Sequence, residues 1–240
     1  GRPTGYEYTR KVIKRIPYPS YNPISSIGDA ALLLLDRPVV GVPLIKINGL
    51  SNMPSDGQSV TVIGHGATSN QDTLPNSLME VSESVISHQD CNDRNSYDGD
   101  IVFSAMLCAG APEGGKGDCY GDSGGPLLIR GNNANEDIQV GIVSFGADSG
   151  CALPNLPSVS TRVSTYAKWI RNNVCLNSNN KPNDCTGPNP PTPSLRPKPS
   201  PKPAKRPTRK PTRRPTLPPT NEPMDSPALS PVGSPIFSPI

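Results

Sequence analysis

The sequence predicts an all-β fold, a barrel or a sandwich, followed by one helix and by a tail that forms no core. Short segments of strand character alternate with Asn, Gly, Asp and Ser clusters over the first 185 residues. Helical periodicity occurs once, near residue 170. Prolines are unevenly spread, with 13 of the 31 in residues 1–185 and 18 in the remaining 55. Many short strands with a single late helix are typical of the all-β class.

The first two strands are predicted before residue 40. Lys11–Ile16 alternates basic and apolar residues, as a half-exposed strand does. Ala30–Leu35 is continuously apolar and is followed by Asp36-Arg37-Pro38, which favours a short buried strand that ends in a turn. Ala30–Leu35 is also the longest strictly apolar run, and six residues are too few to span a membrane.

Five further strands and the helix follow. Each strand is apolar or alternating over four to nine residues and is bounded by turn signals: Val60–Gly64, Leu78–Ile86, Pro126–Arg130, Ile138–Phe145 and Val159–Arg162. The helix is predicted over Ser164–Val174, because apolar residues there share one face: Val163, Ala167, Ile170 and Val174.

Residues 188–240 are expected to form a disordered, basic, Pro-rich tail, joined to the globular part by a linker over 176–187. Residues 186–240 carry nine Lys and Arg against two Asp and Glu, whereas residues 1–185 carry 14 against 18. The tetrapeptides KRPT, RKPT and RRPT follow one another over 205–216. One proline in every four residues prevents a helix or a sheet ladder, so the tail should be extended.

Six cysteines indicate an oxidised, extracytoplasmic compartment. They are Cys91, Cys108, Cys119, Cys151, Cys175 and Cys185. No two of them form a C-x-x-C metal pair, so no metal site is predicted, and nothing points to a cofactor. Six cysteines permit 15 full pairings, and spacing alone does not choose among them.

The most informative stretch is GDCYGDSGGPL at 117–127. Ser123 is flanked by glycines, which allow tight turns and close approach of a substrate. The N–H groups of Gly121 and Ser123 are candidates to stabilise an oxyanion at one point. A Gly-rich surface loop with a solvated serine is the simpler alternative. The string GDSGGP after a cysteine, however, resembles the nucleophile loop of the trypsin/chymotrypsin serine proteases.

Other segments resemble the same family in the same order. GDAALL at 28–33 is similar to the segment whose aspartate orients the catalytic histidine, which implies that role for Asp29. Asp29 precedes Ser123 by 94 residues, close to the separation of about 93 in this family. GIVSFG at 141–146 resembles the strand that pairs with substrate backbone, which implies substrate contacts for Ser144, Phe145 and Gly146.

The resemblance implies two six-stranded antiparallel β-barrels and a C-terminal helix. The protease domain would cover 1–175, with part of the first barrel at 1–50, the second barrel at 55–162 and the helix at 163–175. It also implies the disulfides Cys91–Cys108 and Cys119–Cys151. A local Cys175–Cys185 pair is expected to close the domain, and pairing with a cysteine outside this chain is the alternative.

The catalytic histidine is expected to lie outside this chain. In the family it precedes the aspartate by about 45 residues, which would place it before Gly1. His65 occupies a structural tryptophan position and His88 lies in the stretch before Cys91, so neither is expected to be the base. The chain as given should therefore be inactive. An incomplete sequence of an active protease is favoured, and a truncated inactive homologue is the alternative.

The substrate pocket departs from the trypsin pattern. At the position of the usual pocket-base aspartate stands Gly117, and Asp118 follows it. If the Asp118 carboxylate enters the pocket, substrates with Lys or Arg before the scissile bond are favoured. If it turns away, the pocket is chymotrypsin- or elastase-like. Ser158 replaces a common glycine and is expected to narrow the pocket wall.

The function predicted is that of a secreted serine endopeptidase that cleaves proteins or peptides through an acyl-enzyme. A non-catalytic binding module and a matrix-bound structural protein are the alternatives. The basic tail is expected to bind anionic polysaccharide or cell-wall material. It has no aromatic residues among its charges for base stacking, so nucleic acid is not expected as a partner.

Overall fold

The structure is a computed structural model that describes residues 9–69, 74–179, 181–182, 185 and 238–239. Its elements in chain order are β1 Val12–Pro17, β2 Ala31–Leu35, β3 Lys46–Ile47, β4 Ser59–Gly64, β5 Met79–Ile86, α1 His88–Cys91, β6 Met106–Gly110, β7 Pro126–Ile129, β8 Ile138–Phe145, β9 Ser158–Arg162, α2 Val163–Asn177 and β10 Ser238–Pro239.

Six antiparallel strands close into one barrel. β5 pairs with β4 and β6, β9 pairs with β6 and β8, and β7 joins β8 to β4. Alternate side chains point inward and fill the barrel, and the most deeply buried include Val60, Leu127, Val140 and Val159. The predicted all-β fold with a closed second barrel and a late helix is therefore confirmed.

Among the described residues, the first lobe comprises a two-stranded hairpin. β1 and β2 pair antiparallel, with Ile16 opposite Leu32. The hairpin exposes large apolar side chains, among them Ile13 at 62% and Leu33 at 56%. Two strands leave such side chains uncovered, and the partial first barrel over 1–50 stays a prediction.

The end of the hairpin is fixed to the barrel and to α2. The Tyr18 ring packs edge-on against Tyr166 and Trp169, with centroid distances of 4.8 and 5.4 Å. The Thr161 hydroxyl, on β9, donates a 2.7 Å hydrogen bond to the backbone carbonyl of Asp29. These contacts position the start of β2 at the edge of the barrel.

Helix α2 follows β9 without a loop. Val163 and Tyr166 are its buried residues, and they face the barrel and the hairpin. Beyond it, the Cys175–Cys185 disulfide folds the chain back on the end of the helix. Within the described part of the chain, no helix has the length and apolar character needed to cross a bilayer.

The predicted tail, 188–240, lies largely outside the described residues. So do residues 180, 183–184 and 186–187 of the predicted linker, 176–187. The exception in the tail is β10, whose two residues pair antiparallel with Met79 and Glu80 at the start of β5.

Candidate active site

Buried hydrogen bonds hold the loop of Ser123 in a tight turn. The Asp122 carboxylate is buried and accepts hydrogen bonds from the Gly66 N–H at 2.8 Å and the Cys119 N–H at 3.0 Å. The Gly125 N–H donates to the Asp122 carbonyl at 2.8 Å. A Cβ at Gly125 would lie 2.7 Å from that carbonyl oxygen, so the turn requires glycine. Ser123 is left exposed at its tip.

Two backbone donors beside Ser123 are available to a ligand. Among the described residues, the N–H groups of Gly121 and Ser123 donate to no protein acceptor. Gly121 has φ +100°, and a Cβ there would lie 3.2 Å from the Gly66 Cα. Glycine at this position therefore permits the conformation that leaves its N–H free. Such paired donors can stabilise a developing negative charge on oxygen.

The loop is tied to β8, and β8 is tied to Asp29. The Gly124 N–H donates to the Val143 carbonyl at 2.8 Å, and the Val143 N–H donates to the Gly125 carbonyl at 2.9 Å. The next residue, Ser144, donates from its hydroxyl to Asp29 Oδ2 at 2.6 Å. Ser123 and Asp29 are thus brought to the same end of β8. The other carboxylate oxygen of Asp29 accepts no hydrogen bond from any described residue.

A cavity of about 290 Å³ opens beside Ser123. Together with Ser123, the predicted nucleophile, five residues predicted to bind substrate line it: Asp118, Ser144, Phe145, Gly146 and Ser158. Gly117 is buried but is not among the lining residues. Tyr120 and Asp148 also line the cavity and were not anticipated from the sequence. They lie in loops, where the sequence carries no periodicity that reveals which way a side chain points.

The cavity wall is braced by a disulfide and an aromatic pair. Cys119 is bonded to Cys151, and both residues line the cavity. The Phe145 ring packs edge-on against Tyr97 at 5.9 Å, and the Tyr97 hydroxyl donates to the Pro157 carbonyl at 2.7 Å. The third disulfide, Cys91–Cys108, holds the end of α1 against β6.

The cavity is acidic at Asp118. This side chain is 8% exposed, and burial raises its pKa to about 6, while a hydrogen bond from Ser158 acts in the opposite direction. The pKa of Tyr97 is raised to about 12 by burial and by the negative charge of Asp118. Asp118 therefore places a largely buried carboxyl group among the residues that line the cavity.

The two histidines lie elsewhere. His65 and His88 are both exposed, and neither lines the cavity. His88 opens α1, where it contacts Phe103. Among the residues that the structure describes, no group of three or more His, Cys, Asp or Glu side chains is arranged to hold a metal ion.

Comparison with known proteins matches residues 2–170 to the model of the family described as Trypsin. The chain is 36% identical to serine proteinase stubble of Drosophila melanogaster, over 69% of this chain and 21% of that protein. It is 41% identical to trypsin-1 of Astacus astacus, over 51% of each. With human kallikrein-7 it shares 36% identity over 68% of this chain and 62% of the relative. The chain thus spans less than two thirds of each of these relatives.

Proposed function

Because the chain belongs to the trypsin family, we propose that it carries the nucleophile, the oxyanion hole and the substrate pocket of a serine endopeptidase. The observation that supports this most directly is the hydrogen-bonded connection from the Ser123 loop through Ser144 to Asp29. Ser123 is the nucleophile, and Asp29 orients the histidine that acts as general base.

The proposed reaction proceeds in two steps. The Ser123 Oγ attacks the scissile carbonyl carbon while the histidine takes its proton. The N–H groups of Gly121 and Ser123 stabilise the oxyanion. The C–N bond then breaks, the amine leaves with the proton from the histidine, and an acyl-enzyme remains. Water, deprotonated by the same histidine, attacks the ester and frees Ser123.

We infer that the histidine comes from outside this chain, on a segment that packs against the β1–β2 hairpin. Two observations support this. The hairpin exposes Ile13 and Leu33, which further first-lobe strands would cover. The free carboxylate oxygen of Asp29 is a suitable acceptor for an imidazole N–H. On this proposal the chain alone is inactive.

The proposed substrates are proteins or peptides with Lys or Arg before the scissile bond. The support is that Asp118, an acidic residue, is among the residues that line the cavity. A charge-assisted contact in a largely buried site favours a cationic side chain. A chymotrypsin- or elastase-like preference is the outcome that would contradict this part of the proposal.

Secretion is proposed from the three disulfides, which persist in oxidising compartments. The tail is proposed to hold the protein on anionic polysaccharide or cell-wall material. The observation behind this proposal is the positive charge of its nine Lys and Arg residues.

One observation favours a second candidate, a non-catalytic binding module: neither described histidine lies at the site. Labelling of the complete protein with a fluorophosphonate separates the two. We expect a covalent adduct at Ser123, no adduct in Ser123→Ala, and an unchanged adduct in Ser82→Ala, a serine exposed on β5. Absence of labelling in the unaltered, folded protein would favour the binding module.

A further inference from the structure

A carboxylate faces the interior of the barrel at Glu83. Along β5, Val81, Glu83 and Val85 point inward and are buried, whereas Ser82 and Ser84 point outward and are exposed. Glu83 is 4% exposed. A carboxylate in such surroundings costs free energy unless it is paired or protonated. Its flanking inward residues are valines, so a hydrophobic residue would suit the barrel interior better.

Neither carboxylate oxygen of Glu83 has a hydrogen-bond partner among the described residues. The Asp118 N–H faces it, but without ordinary hydrogen-bond geometry. The charged groups that act on it, Asp118 and Asp122, are both negative. A buried polar group without a partner is uncommon in folded proteins and calls for an explanation.

The strand register places Glu83 behind the cavity wall. Ser84, the next residue, pairs with Gly110 on β6, and the adjacent Ala109 pairs with Ser158 on β9. The Ser158 side chain acts on the Asp118 carboxyl and lowers its pKa, and both residues line the cavity. Glu83 thus lies two strands away from Ser158, with β6 between them, and behind the residues that line the cavity.

We propose that Glu83 is a second carboxylate of the substrate pocket, and that Glu83 and Asp118 together bind the cationic end of a Lys or Arg side chain. This inference rests on the proposed function, since it concerns the same pocket. A guanidinium or ammonium group supplies the N–H donors and the positive charge that the described surroundings of Glu83 lack. The charge at the pocket base would then come from β5 as well as from the nucleophile loop.

Binding of the cation would be linked to release of a proton. Burial, followed by the charge of Asp118, holds the pKa of Glu83 well above its usual range. Asp122, Tyr97 and Ser158 also face this carboxylate pair, and none of them brings a positive charge. Burial therefore favours the protonated form of Glu83 in the empty pocket, and an arriving cation favours its ionisation, with the proton released to solvent.

Calorimetric titration of the full chain with benzamidine, a small aromatic amidinium, tests this. Titrations near neutral pH in buffers of different ionisation enthalpy count the protons released. We expect a net release of protons on binding. Glu83→Gln should abolish the release and weaken binding by about tenfold or more. Glu113→Gln removes one charge from an exposed loop position and should change neither result.

Binding of benzamidine by the unaltered chain without proton release would overturn the inference, even if Glu83→Gln fails to fold. Equal affinity in folded Glu83→Gln, or no binding by the unaltered chain, would also overturn it. The fluorophosphonate needs no cationic group. Labelling of Ser123 without benzamidine binding therefore refutes the carboxylate pair and the proposed Lys or Arg preference, but leaves the proposed nucleophile in place. Proton-linked binding without labelling supports the carboxylate pair and refutes the proposed catalysis.

Discussion

The Ser144 hydroxyl donates a 2.6 Å hydrogen bond to the Asp29 carboxylate across 115 residues of sequence. This contact joins the hairpin of the first lobe to β8 of the barrel, because Ser144 is a β8 residue and Asp29 lies two residues before the first residue of β2. It lies one residue beyond Val143, which binds the Ser123 loop. A single short strand end therefore sets the position of both proposed catalytic side chains.

Ser144→Ala should lower the activity of the complete protein by about tenfold or more, because a hydrogen bond to a carboxylate contributes about 1.5–3 kcal/mol. Without the bond, Asp29 holds the histidine less firmly. The measurement is kcat/KM on a peptide substrate, with its pH profile. Ser82→Ala, on the outer face of β5, is the control. Unchanged activity and an unchanged pH profile in Ser144→Ala would contradict the positioning role.

Gly121→Ala should abolish fluorophosphonate labelling of the complete protein. Gly121 has φ +100°, and the added Cβ would approach the Gly66 Cα to 3.2 Å, so the N–H would turn away from the oxyanion position. Gly115→Ala is a matched control, because Gly115 has φ +81° with open space around it. Both variants carry backbone strain, but only Gly121→Ala should lose labelling. Equal loss in both would show that strain alone is responsible.

The sequence predicted seven strands whose ends lie within one residue of those observed, because their apolar patterns are bounded by turn residues. It did not predict β6, whose five residues are all buried. With no exposed positions, that strand shows no alternation, and its Ala and Gly residues have low strand propensity. Strand β3 has two residues and depends on pairing with β8, which no local pattern reveals.

The candidate site was predictable where it lies in one motif and less so where it depends on distant contacts. The loop around Ser123 is recognisable as a string. The alternation around Glu83 shows that it shares a face with two valines, but the sequence does not show that Asp118 lies opposite. The proximity of Glu83 to Asp118 depends on the closure of the barrel, which brings β5 close to the loop that precedes β7.

Removal of the Cys119–Cys151 disulfide should abolish labelling, whereas removal of Cys175–Cys185 should leave it largely intact. The first joins the Ser123 loop to the opposite wall of the cavity, and the second lies beyond α2. Paired Cys→Ser variants of each disulfide, compared at a temperature where both are folded, test this. Equal labelling of the two variants would contradict a special role for Cys119–Cys151.

Deletion of residues 196–214 should lower the salt concentration that elutes the protein from dextran sulfate. This segment contains all nine Lys and Arg of the tail, and attraction between exposed charges is screened by salt. Deletion of residues 217–235, an equally long segment without Lys or Arg, is the control. Unchanged elution after deletion of 196–214 would leave the proposed surface attachment without support.

Asp118→Asn should stabilise the folded chain near neutral pH. The pKa of Asp118 is about 6 when folded, against 3.8 for an ordinary aspartate, chiefly because the side chain is buried. The folded state therefore holds more protons between these values, and ionisation of Asp118 opposes folding more as the pH rises. The full cost, present above about pH 6, is on the order of 3 kcal/mol.

Urea unfolding of Asp118→Asn and the unaltered chain, from about pH 4 to about pH 7.5, measures this cost. The difference in unfolding free energy should be small at the acidic end, grow between about pH 4 and pH 6, and then level off. Asparagine can still accept the hydrogen bond from Ser158, which limits other losses. Asp100→Asn, at an exposed position, is the control. A difference that does not vary with pH, or that is largest at the acidic end, would contradict a pKa of Asp118 that is raised by burial.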